Sequence, residues 1–90
     1  MMHEILTSLS GDEVLRRAKL FFAERTPHFG AFLEKEGPTW ASFRGQGGEE
    51  IAIAVFPAAG GTRVRGSSLL FGQTVGRFLS TLPATGQEAA

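Results

Sequence analysis

The chain has 90 residues, with nine basic and nine acidic side chains and no cysteine. That length predicts a single domain with a small core, burying about 60–65% of its unfolded surface. Zero net charge excludes a general polyanion binder, which needs a basic excess to release counterions, and the lack of cysteine excludes a disulfide framework and thiolate chemistry.

From the N-terminus, His3 to Leu9 alternates Ile5, Thr7 and Leu9 against Glu4, Leu6 and Ser8, the period of a strand. Ser10-Gly11-Asp12-Glu13 is a capping-box pattern. The Ser10 hydroxyl can accept from the Glu13 amide, and the Glu13 carboxylate can reach back. Asp12 and Glu13 also suit the positive end of a helix dipole. The helix is predicted to run to about Arg25, with Val14, Leu15, Ala18, Phe21 and Phe22 on one apolar stripe. Leu20 projects from its polar side. Thr26-Pro27 ends the helix, because the residue before a proline disfavours the α region.

The period then changes. Phe29 to Glu36 is predicted as a strand, weakened in its first half by Gly30, and Gly37-Pro38 as a turn. Thr39 to Arg44 alternates Thr39, Ala41 and Phe43 against Trp40, Ser42 and Arg44. Gly45-Gln46-Gly47-Gly48 makes a second turn. Glu50 to Phe56 is the strongest strand, Pro57 to Gly61 a third turn, and Thr62 to about Leu70 the last strand. Gly66 within it predicts a bulge or bend. Thr74 is the expected cap of a second helix, whose Val75, Phe78, Leu79 and Leu82 fall at helical spacing before Pro83. The element order is β-α-β-β-β-β-α. Four consecutive strands on short turns make an antiparallel meander, and two helices with one apolar stripe each must cover one sheet face. The expected fold is a two-layer α+β domain over residues 1–83, with a flexible tail over 84–90. Phe22, Ile53 and Phe78 should be almost fully buried.

An opening strand and helix, a meander, and then Gly60-Gly61-Thr62-Arg63-Val64 leading to the helix Val75–Leu82 resemble a shortened helix-grip domain of the START/polyketide-cyclase-like (SRPBCC) superfamily. The resemblance implies a hydrophobic cavity between the last helix and a curved sheet, holding a small apolar ligand or a cyclase substrate. Phe29, Phe32, Phe71 and Phe78 would line it. Members are generally longer, with more strands and a longer final helix, and no functional residue of the family carries over onto a position of this chain.

No constellation of catalytic groups emerges. His28 has no second ligand within four residues, as a metal site would want, and His3 lies near the terminus. Glu34, Glu36, Glu49 and Glu50 flank turns, where carboxylates are solvated rather than raised in pKa. Gly45–Gly48 lacks the lysine, hydroxyl residue and following helix of a phosphate loop. Ser10, Ser42, Ser67 and Ser68 lack the context of a nucleophile elbow. The sequence therefore predicts no catalytic residue, no metal and no cofactor.

The remaining sheet face is the informative surface. If Phe43, Ile51, Ile53, Val55 and Val64 face the helices, then Trp40, Ser42, Arg44, Ala52, Ala54, Phe56, Arg63 and Arg65 face away. Trp and Arg are enriched at interface hot spots. This reading gives a non-enzymatic protein-interaction domain, a homodimer or an accessory subunit, with Trp40, Arg44, Ala52, Ala54, Phe56, Arg63 and Arg65 as the candidate interface. The alternatives are the helix-grip ligand binder and a platform that stacks single-stranded bases. No run of 18 apolar residues and no signal-peptide pattern is present, so the expected location is the cytoplasm.

Overall fold

Seven elements follow the predicted order: β1 (Met2–Thr7), α1 (Gly11–Glu24), β2 (Phe32–Gly37), β3 (Trp40–Arg44), β4 (Glu50–Ala58), β5 (Gly61–Ser68) and α2 (Gly72–Leu79). The computed structural model describes residues 2–24, 32–45, 48, 50–68 and 72–84. All five strands form one antiparallel sheet in the order β1-β5-β4-β3-β2. Four consecutive strands make the meander, and β1 closes its other side by pairing with β5. The fold is α+β with both helices on one face. α1 covers β4, β3 and β2, while α2 covers β5 and β1.

Alternation decides the two faces. Ala41 and Phe43, Ile51, Ile53 and Val55, and Val64 point to the helices and are buried. Val14, Leu15, Ala18, Phe21 and Phe22 of α1 meet them, with Val75, Phe78, Leu79 and Leu82 from α2 and its exit. Phe22 centres the cluster, its ring centroid 4.9 Å from Phe43, 5.2 Å from Phe21 and 5.5 Å from Phe78. Phe22, Ile53 and Phe78 are fully buried, as expected.

The N-terminus of α1 follows half of the capping box. Ser10 Oγ accepts from the Glu13 amide at 3.2 Å. The Glu13 carboxylate turns instead to Arg16 and Arg17, at 2.6 and 2.8 Å. These guanidinium groups hold the Glu13 carboxyl down at about pKa 2, with the Arg16 hydrogen bond the larger cause.

Several boundaries differ from the sequence reading. β4 continues through Pro57 to Ala58, and the turn shrinks to Ala59-Gly60, with Gly60 at φ 81° supplying the left-handed residue. Pro57 is tolerated because β3 pairs with β4 only as far as Trp40–Ala54, leaving β4 a neighbour on one side at that point. Gly66 is not a bulge: it pairs in register with Ile53 and with His3. Its role is steric, since a Cβ there would lie 2.6 Å from Val75 Cγ1. The irregularity falls in β2, where the register shifts between Leu33 and Lys35.

Thr74 does not cap α2. It is the third residue of the helix and is buried. The exit of α2 tightens through Thr81 N to Phe78 O at 2.9 Å and Leu82 N to Leu79 O at 3.1 Å, which keeps Leu82 in the core after the regular helix has ended. Ala84, expected to fray, forms an antiparallel bridge with Thr7. The buried Thr7 hydroxyl donates to the Pro83 carbonyl, tying the end of α2 to β1. Residues 85–90 and the first part of the predicted strand Phe29–Glu36 lie outside the described residues.

Candidate functional site

The face without helices is built in rows across the strands. Glu4, Arg65, Ala54, Trp40 and Gly37 form the central row. Met2, Ser67, Ala52, Ser42 and Lys35 form the row on one side, and Leu6, Arg63 and Phe56 the row on the other. Every candidate interface residue except Arg44 falls in these rows, and Arg44 continues the face beside Phe32 and Glu50.

Trp40 and Phe56 are diagonal neighbours, at 40% and 41% exposure. Trp40 pairs with Ala54, one of the two small residues, Ala52 and Ala54, that the short turn allows opposite it. Its indole lies against Gly37 on the edge strand. A Cβ at Gly37 would come within 2.3 Å of Trp40 Nε1, so this position holds the ring only while it lacks a side chain. Small residues on both sides, Ala54 and Gly37, leave room for the ring to lie over Gly37 and stay 40% exposed. Beside it, Ser42, Ala52 and Ser67 make a run of short side chains.

The arginines are engaged within the chain. Arg65 donates to Glu4 from Nε and Nη2, at 3.3 and 3.1 Å, and its Cζ lies 5.3 Å from the Phe56 ring centroid. Arg63 reaches the other Glu4 oxygen at 3.8 Å. Arg44 donates to Glu34 at 2.7 Å and to the Gly48 carbonyl at 2.7 Å. Its hydrogen bond to Glu34 lowers the carboxyl pKa of Glu34 and raises that of the Arg44 guanidinium. Such exposed pairs stabilise little by themselves, about 0–1 kcal/mol. Their effect is to tie three guanidinium groups to two carboxylates, Glu34 and Glu4.

Sequence reasoning missed Glu4, Leu6 and Met2 as members of this face. The alternation of β1 is visible, but its place beside β5 is a long-range pairing that no local pattern encodes. Gly37-Pro38 reads as a turn, and that Gly37 also seats the Trp40 ring depends on the pairing of β2 with β3 across it.

The expected apolar pocket is not assembled from its described members. Phe78 is fully buried among Phe21 and Phe22, whereas Phe32 stands exposed on the opposite face of the sheet. Phe29 and Phe71 lie outside the described residues. A surface hollow of about 350 Å³ opens elsewhere, at the start of α1, lined by Ser10, Gly11, Asp12, Val55, Phe56 and Thr62 among others. Among the described residues, no three His, Asp or Glu side chains gather to hold a metal ion, and no helix is long and apolar enough to cross a membrane. No known family model matches the chain, and no curated protein or solved structure matches it either.

Proposed function

We propose that this domain is non-enzymatic and binds another protein chain through the open face of its sheet, as a homodimer or as an accessory subunit. The observation that carries the reading is the pair Trp40 and Phe56, diagonal neighbours about two-fifths exposed on a face whose arginines are engaged with Glu4 and Glu34. Contiguous exposed apolar groups rimmed by polar residues mark interaction sites. Rings with few rotatable bonds lose little entropy on binding, and Trp is the side chain most enriched at hot spots.

The base-stacking alternative is weaker on charge. Glu4 and Glu34 pair with the three arginines and leave only one positive charge in excess among them, and the chain as a whole has no basic excess. The helix-grip reading calls for a cavity beneath α2, where Phe78 is packed among core rings. The test places a photo-crosslinking amino acid at Lys35, at the rim of the face, in the full chain and in the cells that make it. The expected result is a crosslink to a protein chain that disappears with Trp40→Ala. Crosslinks only to nucleic acid or to a small molecule would overturn the proposal.

A further inference from the structure

We infer that the hollow at the start of α1 binds a small molecule that carries a primary amide on a flat apolar body. The site lies on the helix side of the sheet, and the inference stands independently of the interaction-face reading. The hollow lies where β3 has given out. β3 pairs with β4 no further than Trp40–Ala54, while β4 runs on to Ala58 beside β5. The start of α1 and the turn between β2 and β3 border the space that is left, about 350 Å³, within the usual range for small-ligand sites. Val55, Pro57 and Pro38 give it apolar walls. Gly11 lets the first turn of α1 come down on one of them, since a Cβ there would lie 2.9 Å from Val55 Cγ2.

Residues with three free donors line the same space. The Ser10 carbonyl and hydroxyl accept from the Val14 and Glu13 amides, which leaves the Gly11 and Asp12 amides at the helix N-terminus without a partner among the described residues. The third donor is the Thr62 hydroxyl. Thr62 is only 7% exposed, points to the helix side opposite Pro57, and makes no side-chain hydrogen bond among the described residues. Among those residues the sealed side-chain atom without a partner is His3 Nε2, so the Thr62 oxygen keeps its opening to the hollow. Buried polar groups are as a rule hydrogen-bonded, and a ligand in the hollow would meet that need for Thr62.

These donors call for an acceptor oxygen on the ligand. That oxygen is uncharged, because Asp12 also lines the hollow and its carboxylate has no ion pair or hydrogen bond among the described residues. An anion would meet this carboxylate with no Lys or Arg among the lining residues to offset it. A primary amide satisfies both sides. Its carbonyl accepts from the amides and the hydroxyl, and its NH2 group donates to the Asp12 carboxylate. The walls of Val55, Pro57 and Pro38 suit an apolar body.

The experiment titrates benzamide into the full chain, labelled with nitrogen-15, and follows the backbone amide signals by NMR. Saturable shifts are expected at Gly11, Asp12 and Thr62, with half-saturation at roughly 1–10 mM, the range of so small a ligand. Benzoate, with the same ring, should bind at least about fivefold more weakly, and acetamide, without a ring, at least about tenfold more weakly. Asp12→Asn should bring benzoate to within about twofold of benzamide. Thr62→Val should weaken benzamide about 3–10-fold, while Thr62→Ser retains binding, which separates the hydroxyl from the packing of the position. If Thr62→Val does not fold, Asp12→Asn, at an exposed position, decides alone. No saturable shift up to about 50 mM overturns the inference, as do shifts centred away from the start of α1. Benzoate or acetamide binding wild type as tightly as benzamide also overturns it, and so does a preference for benzamide over benzoate that Asp12→Asn leaves intact.

Discussion

β4 shows two surfaces on one strand. Ile51, Ile53 and Val55 point to the helices and are buried, while Ala52, Ala54 and Phe56 point the other way into the open. The helix-side residues are branched, fill volume and meet rings from α1 and α2. The open-side residues mix small side chains with a large ring. One face is packed within the chain, and the other keeps Trp40 and Phe56 about two-fifths exposed. The same residue types should have different consequences on the two sides.

The largest difference is expected for phenylalanine. Phe22→Ala or Phe78→Ala should cost about 3–5 kcal/mol in denaturant unfolding, most of what a domain of this size possesses. Phe56→Ala, on the open face, should cost the isolated chain less than about 1 kcal/mol. Equal losses would break the distinction between the faces.

Glycine gives the next contrast. Gly66→Ala drives a methyl toward Val75 Cγ1 and Ile53 Cδ1, at 2.6 and 3.1 Å, and overpacking should destabilise by about 1–3 kcal/mol. Gly37→Ala should leave the melting temperature nearly unchanged while displacing the Trp40 indole, read as a shift in tryptophan fluorescence. Unaltered Trp40 emission would contradict the seat assigned to Gly37.

Smaller still is the latch between β1 and the exit of α2. Thr7→Val removes the donor to the Pro83 carbonyl in a buried setting and should cost about 1–2 kcal/mol by thermal unfolding. No loss would mean that the Thr7–Ala84 bridge holds the segment unaided.

The smallest effect lies on the outer side of α1, away from both sheet faces. The Glu13 carboxyl is held at about 2, below the usual 4.5. A depressed carboxyl contributes stability fully above its unfolded pKa and loses it as the pH falls, here from about 4.5 down through about 2. The site is exposed, so the contribution is small. A side-chain NMR titration of Glu13 should show its midpoint near 2, and a midpoint near 4.5 would show that the Arg16 and Arg17 contacts do not persist in solution.

Local patterns made most of this fold legible. Alternation on β3 and β4, the stripe of α1 and the spacing of Val75, Phe78, Leu79 and Leu82 place the core correctly, because burial of a period-two or period-3.6 face is decided within a few residues. Long-range placement was not legible. The pairing of β1 with β5 brings Glu4 to Arg63 and Arg65, and a guanidinium read as available to a partner is taken by its own chain. Gly66 and Pro57 were misjudged for the same reason: each obeys a neighbour distant in sequence, Val75 in one case and the early end of β3 in the other. Of the candidate site, the strand residues were readable and the partner of Trp40 was narrowed to Ala52 or Ala54, whereas Gly37 as the seat of the ring was not.

The central claim is that Trp40 serves assembly and not folding. The most direct measurement compares wild type with Trp40→Ala in two readouts, thermal unfolding by circular dichroism and association by sedimentation. The account predicts a folded variant, destabilised as an isolated chain by less than about 1 kcal/mol, whose association is weakened by about 2 kcal/mol or more. A folded variant that associates as wild type does, or a variant that does not fold, would contradict it.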